Sequence, residues 1–345
     1  MKTDKEYQKS TSGGVAYALM RWMIETQKGV VFGVAFDTDL NLVYKEAYSL
    51  EELETFRGSK YVIADVENTY KRIEELLLKN RKVFFVGVPC QVAGLYGYLG
   101  RDYENLLTVD LLCHGTPSQQ FNKEHIQYLS QKYSLDIREI NSLQYRKNHS
   151  YNLRLLNDDG QCVCETDEYE DEYVVAFVHG LTYRESCYQC AFANVDRVGD
   201  ISLGDFWGLG LYDMPFQHFT DYGVNLVLVN THKGERIWNM VGDLIYYEKR
   251  DIVEATKEQT TLLHPTLRPS KRDVFLAQYN NTHNFEISVL NAYSNYFSKD
   301  FIAIAKKHRT KTHIKNYVKR AIGFENAQKI MKLKHKIKGD NSVGK

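Results

Sequence analysis

Two apolar runs of strand length each end in a cysteine, and that pairing narrows the folds open to this chain. They are Val83-Phe84-Phe85-Val86-Gly87-Val88-Pro89-Cys90 and Leu106-Leu107-Thr108-Val109-Asp110-Leu111-Leu112-Cys113-His114-Gly115. Between them, Gln91 to Leu99 reads as a helix, and another helix starts near Ser118. Strands alternating with helices predict parallel strands joined by crossover helices. In such a sheet both cysteines emerge at the carboxyl ends of strands, the edge where open α/β sheets bind ligands.

The flanking sequence extends the pattern. Ser10-Thr11-Ser12-Gly13-Gly14 precedes Val15, Leu19, Trp22 and Met23 at helical spacing, with the hydroxyl residues as the N-cap signal and Gly29 as the stop. Val30 to Phe36 reads as a strand and Asn68 to Asn80 as a helix. Beyond Tyr145 the reading is mixed α+β, with candidate strands at 151–156, 173–178, 201–203 and 224–230. From Asn281 the pattern turns helical. The expected division is an N-terminal α/β part over 1–120, a second part over 121–290 holding a CxxC and a Gly-Asp-Phe-Trp-Gly segment, and a helical basic tail over 291–345.

The 345 residues have zero formal net charge, yet Lys306 to Lys345 holds 13 Lys and Arg against Glu325 and Asp340. The tail reads as amphipathic helix, with Ile314, Tyr317, Val318 and Ile322 on one face and Ile330, Leu333 and Ile337 on another. That composition suits an anionic membrane surface, and no nucleic-acid reading motif accompanies it. The acidic run Glu165-Thr166-Asp167-Glu168-Tyr169-Glu170-Asp171-Glu172 reads as a solvated loop. No apolar run approaches the roughly 18 residues of a membrane span, and the N-terminus has no signal-peptide core. The expectation is a cytoplasmic protein that can attach to the inner face of the membrane through its tail.

Six cysteines are too few for a secreted disulfide scaffold and favour metal binding or catalysis. Cys187 and Cys190 form the CxxC. With Cys90 and Cys113 they make a set of four thiolates suited to an iron–sulfur cluster or a structural zinc ion. Cys162 and Cys164 alternate in a probable strand and read as neighbouring exposed thiols. The Ser12-Gly13-Gly14 helix entry and Lys60 in Gly58-Ser59-Lys60-Tyr61 are of the kind that contacts phosphate. His114 can carry a proton or act as a ligand. Asp205 lies beside Phe206 and Trp207, rings able to line a flat cofactor.

Taken together, several stretches resemble the beta subunit family of coenzyme F-420 hydrogenases and dehydrogenases. They are Ser12-Gly13-Gly14-Val15, Gly58-Ser59-Lys60-Tyr61, Gly87-Val88-Pro89-Cys90-Gln91-Val92-Ala93-Gly94-Leu95, Cys113-His114-Gly115-Thr116-Pro117-Ser118, Ser186-Cys187-Tyr188-Gln189-Cys190, Asp200 to Gly208, and Leu226 to Gly234. The resemblance implies a flavin- and cluster-dependent oxidoreductase. Its FAD would lie near Ser12, Gly13, Gly14 and Lys60, with one four-iron (4Fe-4S) cluster on Cys90, Cys113, Cys187 and Cys190, and with His114 and Asp205 as proton carrier or supporting groups. Nothing before Ser10 resembles the ferredoxin-like segment of longer relatives, so a separate ferredoxin-like donor is expected. Bacterial members encoded with surface-polysaccharide genes are similar in the Gly-Asp-Phe-Trp-Gly form and the basic tail, which points to an organic substrate of glycan assembly. The alternative is a non-redox scaffold subunit of a glycan-assembly complex, holding zinc or no metal.

Overall fold

The computed structural model describes residues 4–147, 150–210, 216–218, 222–294, 296–297, 302–303, 306–307 and 310. The chain divides into two compact units, 1–292 and 293–345. In the second unit residues 302–303, 306–307 and 310 are helical; the proposed apolar faces of the tail lie outside the described residues.

The first unit opens with α1 (Asp4–Gln8), α2 (Val15–Glu25), β1 (Val30–Phe36), β2 (Leu42–Ala47), α3 (Leu50–Glu54), α4 (Thr69–Leu78), β3 (Val83–Gly87), α5 (Pro89–Leu99), β4 (Leu106–Leu111) and α6 (Gln119–Tyr133). It continues with β5 (Ser142–Gln144), β6 (Arg154–Leu156), β7 (Cys162–Glu165), α7 (Glu172–Val178), β8 (Ile201–Asp205), β9 (Asn225–Val229), α8 (His232–Val241), α9 (Ile252–Lys257), α10 (Lys271–Thr282) and α11 (Phe285–Ala292).

Six strands form one sheet in the order β2-β1-β3-β4-β8-β9, and β5-β6-β7 form a small antiparallel sheet. The four inner strands are parallel, while β2 and β9 run antiparallel at the edges. This is the expected α/β fold. One sheet face, with Val31, Phe84, Leu107, Val109 and Ile201, packs on Leu19, Trp22 and Met23 of α2 and Val241 of α8. On the other, Tyr70 of α4 meets the Phe85 ring, and the Tyr96 hydroxyl of α5 lies 2.8 Å from Thr108 Oγ1. Cover on both faces is why β3 and β4 are apolar without alternation.

Several sequence expectations need correction. Residues 173–178 form the helix α7, not a strand. Asp171 caps it by accepting from the Val174 N–H at 2.8 Å, and Tyr173 to Phe177 are all buried. A segment covered on every side loses the periodicity that separates helix from strand. The acidic run is not wholly solvated: Asp171 and Glu172 are buried. Cys164 is buried while Cys162 is exposed, because a register irregularity pairs Leu155 with Cys164 and Leu156 with Cys162. Helix α2 ends at Glu25, before Gly29, and its N-cap is Gly14 in the left-handed conformation (φ 78°) rather than a hydroxyl residue. The strand read over 151–156 is confined to Arg154–Leu156. No helix among the described residues is long and apolar enough to cross a membrane.

Candidate functional site

The carboxyl ends of β3, β4 and β8 gather the predicted residues. Cys90 is the second residue of α5, directly after β3; Cys113 follows β4; Asp205 is the last residue of β8. The CxxC lies in a 3-10 turn, Glu185–Gln189, whose C-cap is Cys190. Two contacts bring that turn to β4. Pro117 and Tyr183 form an antiparallel bridge, and the Arg184 N–H donates to Thr116 O at 3.1 Å. Arg197 holds the chain after the CxxC: Nη1 donates to Phe192 O at 2.8 Å, and Nε donates to Asp110 Oδ1 at 3.1 Å and Ser202 Oγ at 3.2 Å.

All four thiols are thereby within electrostatic range of one another. Burial pushes the Cys113 thiol up to about 12; the Gly115 N–H bond opposes this, and Cys187, Cys90 and Cys190 add to it. Cys90 has surface exposure but its thiol is partly desolvated, and it too is raised, by that desolvation and then by Cys187 and Cys190, with Arg184 opposing. Thiols gathered this way resist ionising together unless a cationic group joins them. Among the described residues, no three His, Cys, Asp or Glu side chains are arranged to hold a single metal ion. The donor set, four thiols from three chain segments, is of the kind that suits an iron–sulfur cluster or a zinc ion.

An aromatic wall stands beside the cysteines. Tyr61 stacks on Phe177 with centroids 4.3 Å apart, and Tyr151, Tyr183, Tyr188 and Cys187 complete the group. His114 lies 5.0 Å from the Phe177 ring. Tyr183 donates its hydroxyl proton to Phe177 O at 2.7 Å, so the 2.5 Å contact with His114 Nδ1 needs the imidazole as donor. Burial pushes His114 below the usual histidine range, keeping the ring neutral and Nε2 an acceptor. Gly115 has φ 133°, and a Cβ there would run into the Tyr183 ring. At the far side, Arg146 lies 3.7 Å from Asp205, donates to the Tyr61 hydroxyl at 3.1 Å and covers the Tyr151 ring at 4.4 Å. Its Nε is buried without a hydrogen-bond partner. Trp207 is half exposed.

The Ser12-Gly13-Gly14 loop packs against Gly223–Asn225. A Cβ on Gly13 would come 2.7 Å from the Asn225 amide nitrogen, and Asn225 Oδ1 accepts from the Val15 N–H at 3.1 Å, capping α2 in place of a hydroxyl. The Gly58–Tyr61 segment joins it, since the Ser59 N–H donates to Thr11 Oγ1 at 3.2 Å. The same segment continues to Tyr61 in the aromatic wall and to Ile63, whose N–H donates to Pro117 O at 3.1 Å. Ser12 Oγ is buried with no partner. Among the described residues, Lys60 bonds backbone carbonyls, Arg57 O at 2.8 Å and Thr55 O at 3.3 Å, and burial pushes its ammonium down to about 7. An orphaned hydroxyl at the start of α2 fits an anionic group such as phosphate, and the destabilised Lys60 ammonium, held at the carbonyls that follow α3, belongs to the segment packed beside it.

The family model for the C terminus of the coenzyme F420 hydrogenase/dehydrogenase beta subunit matches residues 80–255, about half the chain. The chain belongs to that family. The match spans β3 through β9, so this F420 hydrogenase/dehydrogenase beta subunit region holds all four cysteines, His114 and Asp205. No curated protein matches the chain. Among solved structures, it is similar to a chain of the F420-reducing [NiFe] hydrogenase complex from Methanosarcina barkeri. That likeness has 20% identity, covers 76% of this chain and 84% of that chain, and gives a TM-score of 0.49.

Sequence reasoning missed Arg146, the tyrosines facing it and the Arg197–Asp110 clamp. Each joins segments far apart in the chain, and no local motif marks them.

Proposed function

We propose that this member of the F420 hydrogenase/dehydrogenase beta subunit family is an FAD-containing iron–sulfur oxidoreductase. The observation carrying this reading is the meeting of four thiols from three chain segments on one sheet edge, joined by the Gly58–Ile63 segment to an anion-ready helix start. Cys90, Cys113, Cys187 and Cys190 would hold the cluster, and Ser12, Gly13, Gly14 and Lys60 the flavin phosphates. When bound, such a pair converts single-electron transfer into two-electron chemistry on an organic molecule.

The chain's own residues supply the rest. The aromatic wall excludes water, Arg146 brings a fixed positive charge to it, and neutral His114 offers Nε2 as a proton acceptor. Cys90 is exposed, which leaves an approach for a separate ferredoxin-like donor protein. Participation in surface-glycan assembly, beside the membrane, is part of the same proposal and rests on the sequence resemblance and the basic tail.

Anaerobic purification followed by visible absorption, flavin, iron and zinc analysis tests the reading. Flavin bands with a broad iron–sulfur shoulder support it, and Cys→Ser at each of the four positions should remove the shoulder. A colourless protein containing zinc, or one that takes up neither iron nor flavin on reconstitution, overturns it.

A further inference from the structure

Arg146 and Asp205 form a pair that their own contacts leave unfinished. The Arg146 side chain is only 7% exposed, yet among the described residues it meets a single carboxylate, Asp205, across 3.7 Å. That separation is too long for a hydrogen bond. Nη1 donates to the Tyr61 hydroxyl and Nε is sealed, whereas Nη2 is neither sealed nor hydrogen-bonded among the described residues. The Asp205 side chain is 31% exposed, and its carboxylate has no other partner among the described residues.

Both residues are held in place. Arg146 lies over the Tyr151 ring at 4.4 Å. Gln259 Nε2 donates to Asp205 O, and the β8–β9 register sets Asp205 opposite Asn225. Asn225 is also the residue that packs on Gly13 and caps α2. One cross-strand contact therefore joins the pair to the anion-ready helix start. An anion on Nη2 would be pulled by Arg146 and pushed by Asp205, so a carboxylate or phosphate gains little here. A neutral group gains from both residues if it offers an acceptor beside a donor.

We propose that this pair grips the edge of a planar heterocycle where a ring carbonyl adjoins a ring N–H, as in a cyclic amide or imide. The carbonyl accepts from Arg146 and the N–H donates to Asp205, so two adjacent ligand atoms bridge the 3.7 Å gap. Aromatic faces for such a ring are at hand in Tyr61, Tyr151 and the half-exposed Trp207. A flavin ring and a pyrimidine nucleoside both carry this edge. The inference deepens the redox reading by naming what its aromatic site recognises, and rests on that reading only where the ring is a flavin.

The test is fluorescence titration of the purified full chain, freed of bound flavin, with lumiflavin and with its N3-methyl derivative, which lacks the ring N–H. Wild type should bind lumiflavin at least about tenfold more tightly than the methylated ring. Asp205→Leu should cut that preference to less than about threefold, whereas Arg146→Met should weaken both rings alike. Circular dichroism establishes that each variant is folded, and the wild-type comparison decides if neither folds. Displacement of lumiflavin by uridine assigns the edge to a nucleoside; lumiflavin binding that uridine does not displace assigns it to a flavin-type ring. Three results would overturn the proposal: no saturable binding of lumiflavin or uridine, no preference over the methylated ring, or an unchanged preference in folded Asp205→Leu. Unchanged lumiflavin binding by a folded Arg146→Met would do the same. Any of these in a protein purified with FAD sinks the clamp and leaves the redox reading standing, while the full preference in a protein purified without flavin or iron does the reverse.

Discussion

Replacing Arg197 by Met should destabilise the fold through one buried charge. Asp110, at 0% side-chain exposure, faces an Arg197 side chain at 2%. In the variant, the carboxylate keeps the Gly199 N–H at 2.7 Å as its remaining protein donor among those described. Phe192 O and Asn194 O, which now accept from Nη1 at 2.8 and 3.4 Å, lose that donor. Removing one partner of a buried pair costs about 3–5 kcal/mol. For a unit of this size that is on the order of 10 °C in melting temperature. Urea unfolding at neutral pH measures it, alongside a double variant, Arg197→Met with Asp110→Asn. The double variant should recover about half of the loss or more, since it no longer buries an unpaired charge. A loss below about 1 kcal/mol in the single variant, or no recovery in the double, would refute the assignment of Arg197 as the clamp behind the CxxC.

Further outcomes follow from the same physics. Burial alone would lower His125, but Asp171 and Glu286 on its two ring nitrogens lift it to about 10. Its stabilisation is therefore complete below the ordinary value of 6.5 and lost as pH rises through about 10; His125→Asn should flatten that fall in a series of melts and cost about 3 kcal/mol or more near neutrality. Lys60 has the opposite sign. With its ammonium at about 7, its penalty is full below that pH and fades toward the ordinary 10.5, so ligand-free protein should gain stability over this interval and Lys60→Met should lose the gain. Gly115→Ala combines strained φ with a clash at Tyr183 and should cost about 2–4 kcal/mol in the same unfolding assay, whereas Gly97→Ala, which meets nothing within 4 Å, should be neutral or stabilising.

The sequence was most legible where local pattern and tertiary environment agree. Strands β1, β3 and β4 are apolar runs of ordinary length, and both first cysteines sit at the predicted edge. Ser118 caps α6 as its position before the helix implies, accepting from the Phe121 N–H at 3.4 Å. Legibility failed where distant contacts decide the outcome. Nothing near Tyr173 says that α7 will be enclosed, nor does the spacing of Cys162 and Cys164 reveal the bulge that separates them. Asn225 caps a helix 210 residues away in sequence, and Arg146 meets Tyr61 across 85. Such pairings come from topology, and only the assembled sheet makes them visible.

The placement of the thiols also orders events in time. Cys90 and Cys113 are set by the neighbouring pair β3 and β4, whereas Cys187 and Cys190 arrive with the Pro117–Tyr183 bridge and the chain leading into β8. That second pairing closes a loop of most of a domain's length and belongs among the slow steps of folding. The four sulfurs can then come together only after the β4–β8 junction has formed. Under the proposed assignment, cluster occupancy would count completed chains: a population stalled before that junction could offer two thiols and no more.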